Sequence, residues 1–188
     1  MTDTKQAVLD LIVREAHERR DEAFQLSSGD WSHDYIDGKR AISSGPNLRL
    51  AADAIIETCR AHEVEFDAVG GLTMGADPLA HAVSLIAGVK WFTVRKEPKK
   101  HGKQKDIEGA ELTAGEKVLL VEDVITTGRS ILKALDAVEP FGVQVVLAVA
   151  LVDRGDGARV LLEGRGVKYA PILTYADLGI DPVGLVSP

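Results

Sequence analysis

The sequence predicts an α/β protein with a central, mostly parallel sheet flanked by helices. Two observations support this prediction. Residues 66–72, 117–121 and 143–152 are largely apolar runs, and segments with helical periodicity separate them. Buried strands that alternate with helices are typical of parallel sheets covered on both faces. In such sheets ligands bind beyond the carboxyl ends of the strands, so the residues that follow each strand are candidates for function.

The N-terminal part of the chain has a different pattern. Residues 4–19 predict an amphipathic helix, because apolar residues recur on one of its faces. These residues are Ala7, Val8, Leu11, Ile12 and Ala16. The polar stretch 24–40, with its scattered aromatic residues, predicts short strands and turns. A second helix is expected after the capping residues Ser43 and Ser44, with Pro46 in its first turn.

The remaining elements alternate along the chain. Further strands are predicted at 88–95 and 167–173, and helices at 76–87, 130–138 and 158–163. A chain of 188 residues is long enough to bury a core and fits a single domain spanning 1–188.

The composition excludes several classes of protein. The longest apolar run, 145–152, is far shorter than the roughly 20 residues of a membrane-spanning helix. The N-terminal helix contains acids, unlike a signal peptide. The single cysteine, Cys59, rules out an intrachain disulfide and a cysteine-rich zinc site. We therefore expect a cytoplasmic protein that does not engage membranes.

The charge is unevenly distributed. The net charge of −7 argues against binding to duplex nucleic acid. Residues 95–105 nevertheless hold six Lys/Arg and one Glu, a local charge of +5 that leaves −12 for the rest of the chain. Pro98 and Gly102 disfavour a regular element there, and mutual repulsion favours a segment that settles when an anion binds. A solvated surface loop is the alternative for such a charge run.

A polar string, Glu-Asp-Val-Ile-Thr-Thr-Gly-Arg-Ser, occupies residues 122–130 and follows the predicted strand 117–121. The helix that begins next would present free backbone N–H groups and the positive end of its dipole, which suits a phosphate. Hydroxyl side chains in the string add donors, and Gly128 lets the backbone come close to an oxyanion.

The two acids that open this string need a different role. Glu122 and Asp123 would repel a phosphate, so we expect them to face sugar hydroxyls, a cation or developing positive charge. The alternative is that the acids only cap a helix and that the residues after them form an ordinary turn.

The string 122–130 resembles the 5-phosphoribosyl-1-pyrophosphate (PRPP) motif of type I phosphoribosyltransferases. That motif has aliphatic residues, two acids, two variable residues, two Thr/Ser, Gly, a variable residue and Thr/Ser, and every position is matched. Residues 95–102 are similar to the R-K-E-x-K-x-H-G loop of the orotate phosphoribosyltransferase family. An L-x-S-G-x-x-S segment at 26–32 and the pair Asp153-Arg154 extend the resemblance over most of the chain.

The resemblance implies a type I phosphoribosyltransferase-like fold, with a small N-terminal hood subdomain at about 1–42 and a core at about 43–188. It implies transfer of the phosphoribosyl group from PRPP to orotate in UMP biosynthesis. It also implies Mg²⁺ held mainly through PRPP and water, without direct protein ligands, and a homodimer with loop 95–109 shared across the interface.

The resemblance also implies the site residues. The catalytic residues would be Lys99, Asp123 and Glu122. Orotate would contact Thr126 and Arg154, although a salt bridge to Asp153 or Asp156 is an alternative role for Arg154. The PRPP contacts would be Arg95, Lys96, Lys99, His101, Glu122, Asp123, Val124, Ile125, Thr126, Thr127, Gly128, Arg129 and Ser130.

Two positions depart from the family. It often has a lysine where this chain has Ser27, and another in the loop after the strand 66–72, where this chain has none. Lys39 and Lys100 are candidates to replace them. Two other functions stay open: a phosphoribosyltransferase for another base, such as a purine or uracil, and a PRPP-sensing regulator without turnover. The first does not explain the loop at 95–102, and the second would need a nucleic-acid surface.

Overall fold

The computed structural model describes residues 2–26, 28–97 and 106–183, which form seven regular helical segments and eight strands in these ranges. In chain order they are α1 (Asp3–Glu15), β1 (His17–Gln25), β2 (Trp31–Ile36), α2 (Gly38–Ala41), α3 (Gly45–Ala61), β3 (Ala68–Leu72), α4 (Ala76–Ala87), β4 (Lys90–Val94), β5 (Ile107–Gly109), β6 (Lys117–Ile125), α5 (Arg129–Val138), a 3₁₀ turn (Glu139–Phe141), β7 (Gln144–Asp153), α6 (Gly157–Glu163) and β8 (Tyr169–Thr174).

Six of the strands form one sheet, in the order β5-β4-β3-β6-β7-β8. All neighbouring pairs are parallel except β4 and β5, which are antiparallel. The predicted mostly parallel sheet flanked by helices is therefore confirmed. The carboxyl ends of β3, β6 and β7 lie side by side at the same end of this sheet. The polar string 122–130 and the pair Asp153-Arg154 lie there.

Helices cover both faces of the sheet, as the alternation along the central strand requires. Leu119 and Val121 of β6 pack in one cluster with apolar residues of α1, α3 and α4. Val118 and Leu120, whose side chains point the other way, pack in a second cluster with residues of α5 and α6. Each strand thus buries side chains on both faces, which explains its continuous apolar sequence.

The N-terminal region contains a two-stranded antiparallel sheet of β1 and β2. The helix predicted at 4–19 ends at Glu15, and β1 begins at His17. After Ala16 the sequence is polar for six residues, so no further helical turn can bury an apolar side chain against the core. Pairing with β2 organises this polar segment instead.

Two features of the main sheet differ from the prediction. The strand predicted at 117–121 continues to Ile125, because β6 pairs with β7 as far as Asp153. The acids Glu122 and Asp123 therefore belong to the strand, and the turn begins four residues later than expected. The short strand β5 was not predicted, and only its pairing with β4 defines it. Within the described ranges, no helix is both long and apolar enough to cross a membrane.

Candidate functional site

The site is built around two adjacent carboxylates in the central strand. Glu122 and Asp123 are only 5% and 6% exposed. Two glycines from other elements lie directly against them. A Cβ on Gly75, just before α4, would overlap Asp123 Oδ1 and lie 2.8 Å from Glu122 Oε1, and a Cβ on Gly38 would lie 2.9 Å from Asp123 Cβ. Both positions must therefore lack a side chain for the acids to sit where they do.

Glu122 is in an unfavourable environment for a charge. Burial raises the pKa of its carboxyl well above the ordinary value, the neighbouring Asp123 raises this pKa further, and the charge of Lys96 opposes the rise. Its Oε2 atom is buried and has no hydrogen-bond partner among the described residues. A buried oxygen left without a partner suggests that a ligand completes the site.

Asp123 faces a lysine from the N-terminal region. Lys39 Nζ lies 3.6 Å from Asp123 Oδ2 and 3.8 Å from Asp37 Oδ1, and the lysine side chain is half exposed. This is one of the two lysines named as candidates to replace the missing family lysines. The other, Lys100, lies outside the described residues.

A polar turn follows β6 and leads into α5. Gly128, with φ of +80°, is the residue before the helix, and no side chain of the described residues caps this helix start. A Cβ there would lie 2.8 Å from Ala158 Cα, so glycine is required both for its backbone angle and for the close approach of α6. The turn surrounds a cavity of about 220 Å³. Its lining residues are Ser28, Val124, Ile125, Thr126, Thr127, Gly128, Arg129 and Ser130.

Of the cationic segment, residues 95–105, the structure describes only residues 95–97. Arg95 Nη1 lies 3.3 Å from Glu108 Oε1 in β5, so this guanidinium pairs with the sheet edge rather than with the acid pair. Lys96 is exposed, and its carbonyl accepts a hydrogen bond from Lys133 Nζ of α5. Lys99 and His101, both predicted to contact PRPP, lie outside the described residues.

Arg154 follows β7 and connects the N-terminal sheet to the core. It is 2% exposed, and its Nη2 donates to Ser32 Oγ at 2.9 Å and to the Asp34 carbonyl at 2.7 Å. Its Nε is buried without a partner among the described residues. Among the described residues, no ion pair joins Arg154 to Asp153 or Asp156. Asp153 accepts from Tyr169 Oη at 2.8 Å and from the Gly155 amide at 3.1 Å, and Asp156 Oδ2 accepts from Tyr175 Oη at 3.4 Å.

Asp34 links the hairpin of β1 and β2 together beside Arg154. Its buried carboxylate lies 2.8 Å from His17 Nε2 and 2.9 Å from Arg19 Nη1, both in β1. This network was not predicted from the sequence. The one available signal was the alternation in β2, which places Ser32, Asp34 and Ile36 on the same, buried face.

The structure thus brings together the acid pair, the turn at 126–130 and Lys96, with Arg154 at the end of the neighbouring strand. No group of three or more His, Cys, Asp or Glu side chains in the described part of the chain is arranged to hold a metal ion by itself. The arrangement places a buried acid pair beside a turn that offers N–H and hydroxyl donors. Such a pair of surfaces suits a ligand with a polyhydroxylated ring and a phosphate.

Comparison with known proteins finds phosphoribosyltransferases by family model and by sequence similarity. The model of the phosphoribosyl transferase domain family matches residues 39–164. An orotate phosphoribosyltransferase of Corynebacterium glutamicum (strain R) is 44% identical over 158 residues, which cover 83% of this chain and 84% of that protein.

Solved structures resemble the whole fold. The orotate phosphoribosyltransferase of Mycobacterium tuberculosis H37Rv in complex with Fe(III) dicitrate has a TM-score of 0.80 and 37% identity, covering 94% of this chain and 99% of that one. The same enzyme in complex with PRPP has a TM-score of 0.77 and 36% identity, with the same coverage of both chains.

The raised pKa of Glu122 predicts a pH-dependent stability. A carboxyl with a higher pKa in the folded state binds its proton more tightly there, so stability declines as pH rises from about 4.5 through the raised value. Glu122→Gln removes this effect. We expect its Tm to exceed that of the unmodified protein by a few degrees at pH 8, since about 1 kcal/mol shifts Tm by about 2–4 °C in a chain of this size.

The difference in Tm should shrink toward pH 4.5, because there Glu122 of the folded protein is neutral, as glutamine is at every pH. Thermal unfolding between pH 4.5 and 8.5 measures it, with Glu65→Gln at an exposed position as the matched control. A difference between Glu122→Gln and the unmodified protein that does not change with pH would contradict the buried-charge interpretation.

Proposed function

The chain belongs to the orotate phosphoribosyltransferase family, and we propose from this premise how its site transfers the 5-phosphoribosyl group from PRPP to orotate. The products are orotidine 5′-phosphate and pyrophosphate, in UMP biosynthesis. The observation that supports this role best is the buried acid pair of β6, which lies shortly before a turn that offers backbone N–H and hydroxyl donors.

The 5′-phosphate is assigned to the turn after β6. The start of α5 lines the cavity, and the first N–H groups and the dipole of a helix favour an anion at such a position. The hydroxyls of Thr126, Thr127 and Ser130 add donors, and Gly128 lets the backbone approach the phosphate. Val124, Ile125 and Arg129 complete the contact surface.

The acid pair is assigned to the ribose. Breaking the bond between the anomeric carbon and pyrophosphate builds positive charge on the sugar ring. Glu122 and Asp123 accept hydrogen bonds from the ribose hydroxyls and stabilise that charge, which is an electrostatic contribution to catalysis. Because they are fixed by packing against Gly38 and Gly75, they need little rearrangement when the charge develops.

The cationic segment is assigned to the departing pyrophosphate. Arg95 and Lys96 stand at its base, and we propose that Lys99 and His101 join them, with Lys99 as the catalytic cation. In this role Arg95 must exchange its Glu108 partner for the substrate. Closure of the segment would also keep water from the activated sugar, whose hydrolysis is the competing reaction.

Phosphoribosyltransferases that use PRPP generally need a divalent metal, and we propose Mg²⁺ here. Carboxylate oxygens are hard donors of the kind this ion prefers, and Glu122 Oε2 is available for a ligand or its bound water. When bound, the ion would offset the negative charge of the pyrophosphate. We propose that it is held mainly through PRPP and water, with Glu122 and Asp123 facing it.

Orotate is assigned to Arg154 and Thr126. A guanidinium has five N–H donors in a planar fork, and those not used by Ser32 and Asp34 can bind the orotate carboxylate. We further propose that residues 1–42 act as a hood over this part of the site, and that the protein is a cytoplasmic homodimer that shares its 95–109 loop across the interface.

A spectrophotometric assay with PRPP and Mg²⁺ tests the function. We expect loss of orotate absorbance with time, and no turnover of uracil or adenine. Turnover of another base alone would indicate a different phosphoribosyltransferase. Tight PRPP binding without any turnover would indicate a PRPP sensor.

The packing of Gly75 predicts a selective loss of activity. In Gly75→Ala the new methyl group overlaps Asp123 Oδ1, so the carboxylates must move. We expect kcat/KM for PRPP to fall about 10- to 100-fold, since small displacements of reacting groups have effects of this size. Gly45→Ala is the control, because a Cβ at that position meets no atom of the described residues within 4 Å. Equal activity of the two variants would argue against the proposed placement of the acids.

The position of Arg154 predicts a change in base recognition. Arg154→Ala should raise KM for orotate about 10- to 100-fold, the effect of losing a hydrogen bond to a charged group, and raise KM for PRPP much less. Ser32→Ala, which removes one acceptor of Arg154 but keeps the guanidinium, should change both values far less. If Arg154→Ala raised both KM values equally, the residue would have no special role in binding orotate.

A further inference from the structure

The carboxylate of Asp77 joins three separate elements next to the site. Asp77 lies in the first turn of α4. Its Oδ2 accepts from Thr73 Oγ1 at 2.7 Å, and its Oδ1 accepts from Thr93 Oγ1 of β4 at 2.9 Å. The Thr73 amide also donates to the Val94 carbonyl at 2.8 Å. The carboxylate therefore fixes the segment 73–75 and the end of β4 to the same helix.

These two tethered segments lead to different parts of the proposed PRPP site. The segment 73–75 ends at Gly75, which packs directly on the acid pair. The strand β4 ends at Val94, and the next residues are Arg95 and Lys96 at the base of the cationic segment. A shift of one segment relative to the other would change the distance between the acids and the cations.

Asp77 makes these contacts through hydrogen bonds to neutral hydroxyls. No cation in the described ranges forms an ion pair with it, and it does not cap α4, because Gly75 precedes that helix without a side-chain cap. Its negative charge in the first turn also suits the helix dipole, but that interaction would not require both oxygens to accept from threonines on two other segments.

We propose that Asp77 is a positioning residue for PRPP: by binding Thr73 and Thr93 together, it holds the acidic and cationic sides of the site at the separation that PRPP requires. This inference rests on the proposed function, which places PRPP at the site. Asp77 itself does not touch the substrate. It acts through Gly75 on one side and through the end of β4 on the other.

Direct binding of PRPP in the presence of Mg²⁺, measured by calorimetry, tests the inference without orotate or turnover. We expect Asp77→Ala to raise the Kd for PRPP about tenfold. Asp77→Asn should stay within about threefold of the unmodified protein, because its amide group can still accept from one hydroxyl and donate to the other. Thr73→Val and Thr93→Val each remove one of these hydrogen bonds, and we expect them to raise the Kd for PRPP by less than Asp77→Ala does. They test the inference in its place if Asp77→Ala does not fold.

Asp67→Ala is the matched control. Asp67 precedes β3 at the amino ends of the strands, far from the acid pair, and its carboxylate accepts a hydrogen bond from the Lys117 amide at 2.9 Å. We expect this variant to lower Tm without changing the Kd for PRPP.

Two results would overturn the inference alone. The first is an unmodified protein that binds PRPP and an Asp77→Ala variant that binds it equally well, with only Tm reduced. The second is an Asp77→Asn variant as impaired as Asp77→Ala, because the charge and not the hydrogen bonds would then matter. An unmodified protein that does not bind PRPP would overturn the proposed function, and the inference with it.

Discussion

Burial of two neighbouring carboxylates at the end of the central strand is the constraint on which the rest of the site depends. Removing Glu122 and Asp123 from water is unfavourable, and nothing in the described ranges fully compensates for it, since Glu122 Oε2 has no partner. Glycines at 38 and 75 leave the space that the acids occupy, and Lys39 and Lys96 place positive charge near them. We infer that the protein gives up stability to hold these oxygens ready for a sugar.

The parallel sheet explains why the other parts of the site lie within reach. Neighbouring strands β6 and β7 end at the same edge, so the turn at 126–130 and Arg154 come from adjacent positions. The two chain segments also support each other. The Arg154 amide donates to the Ile125 carbonyl at 2.8 Å, and Gly128 packs on Ala158. The segment that carries Arg154 therefore contacts the proposed phosphate-binding turn and stabilises it.

Much of this arrangement could be predicted from local sequence, and the failures have identifiable physical reasons. The apolar runs of β3, β6 and β7 and the ordered string 122–130 predicted the sheet and the acids beside a polar turn. The predicted end of β6 was wrong, because pairing with β7 and not apolar composition extends this strand to Ile125. The network of Arg154, Ser32 and Asp34 was missed because Arg154 lies 122 and 120 residues along the chain from Ser32 and Asp34. Only the folded hairpin brings them together.

The central claim is that the acid pair and the turn after β6 bind PRPP, with the ribose on the acids and the 5′-phosphate in the turn. A crystal structure of the protein with PRPP and Mg²⁺ tests this most directly. The account predicts phosphate oxygens within hydrogen-bond distance of the amides or hydroxyls of Thr127, Gly128 and Ser130, and ribose hydroxyls on Glu122 or Asp123. PRPP bound elsewhere, with this turn empty, would contradict it.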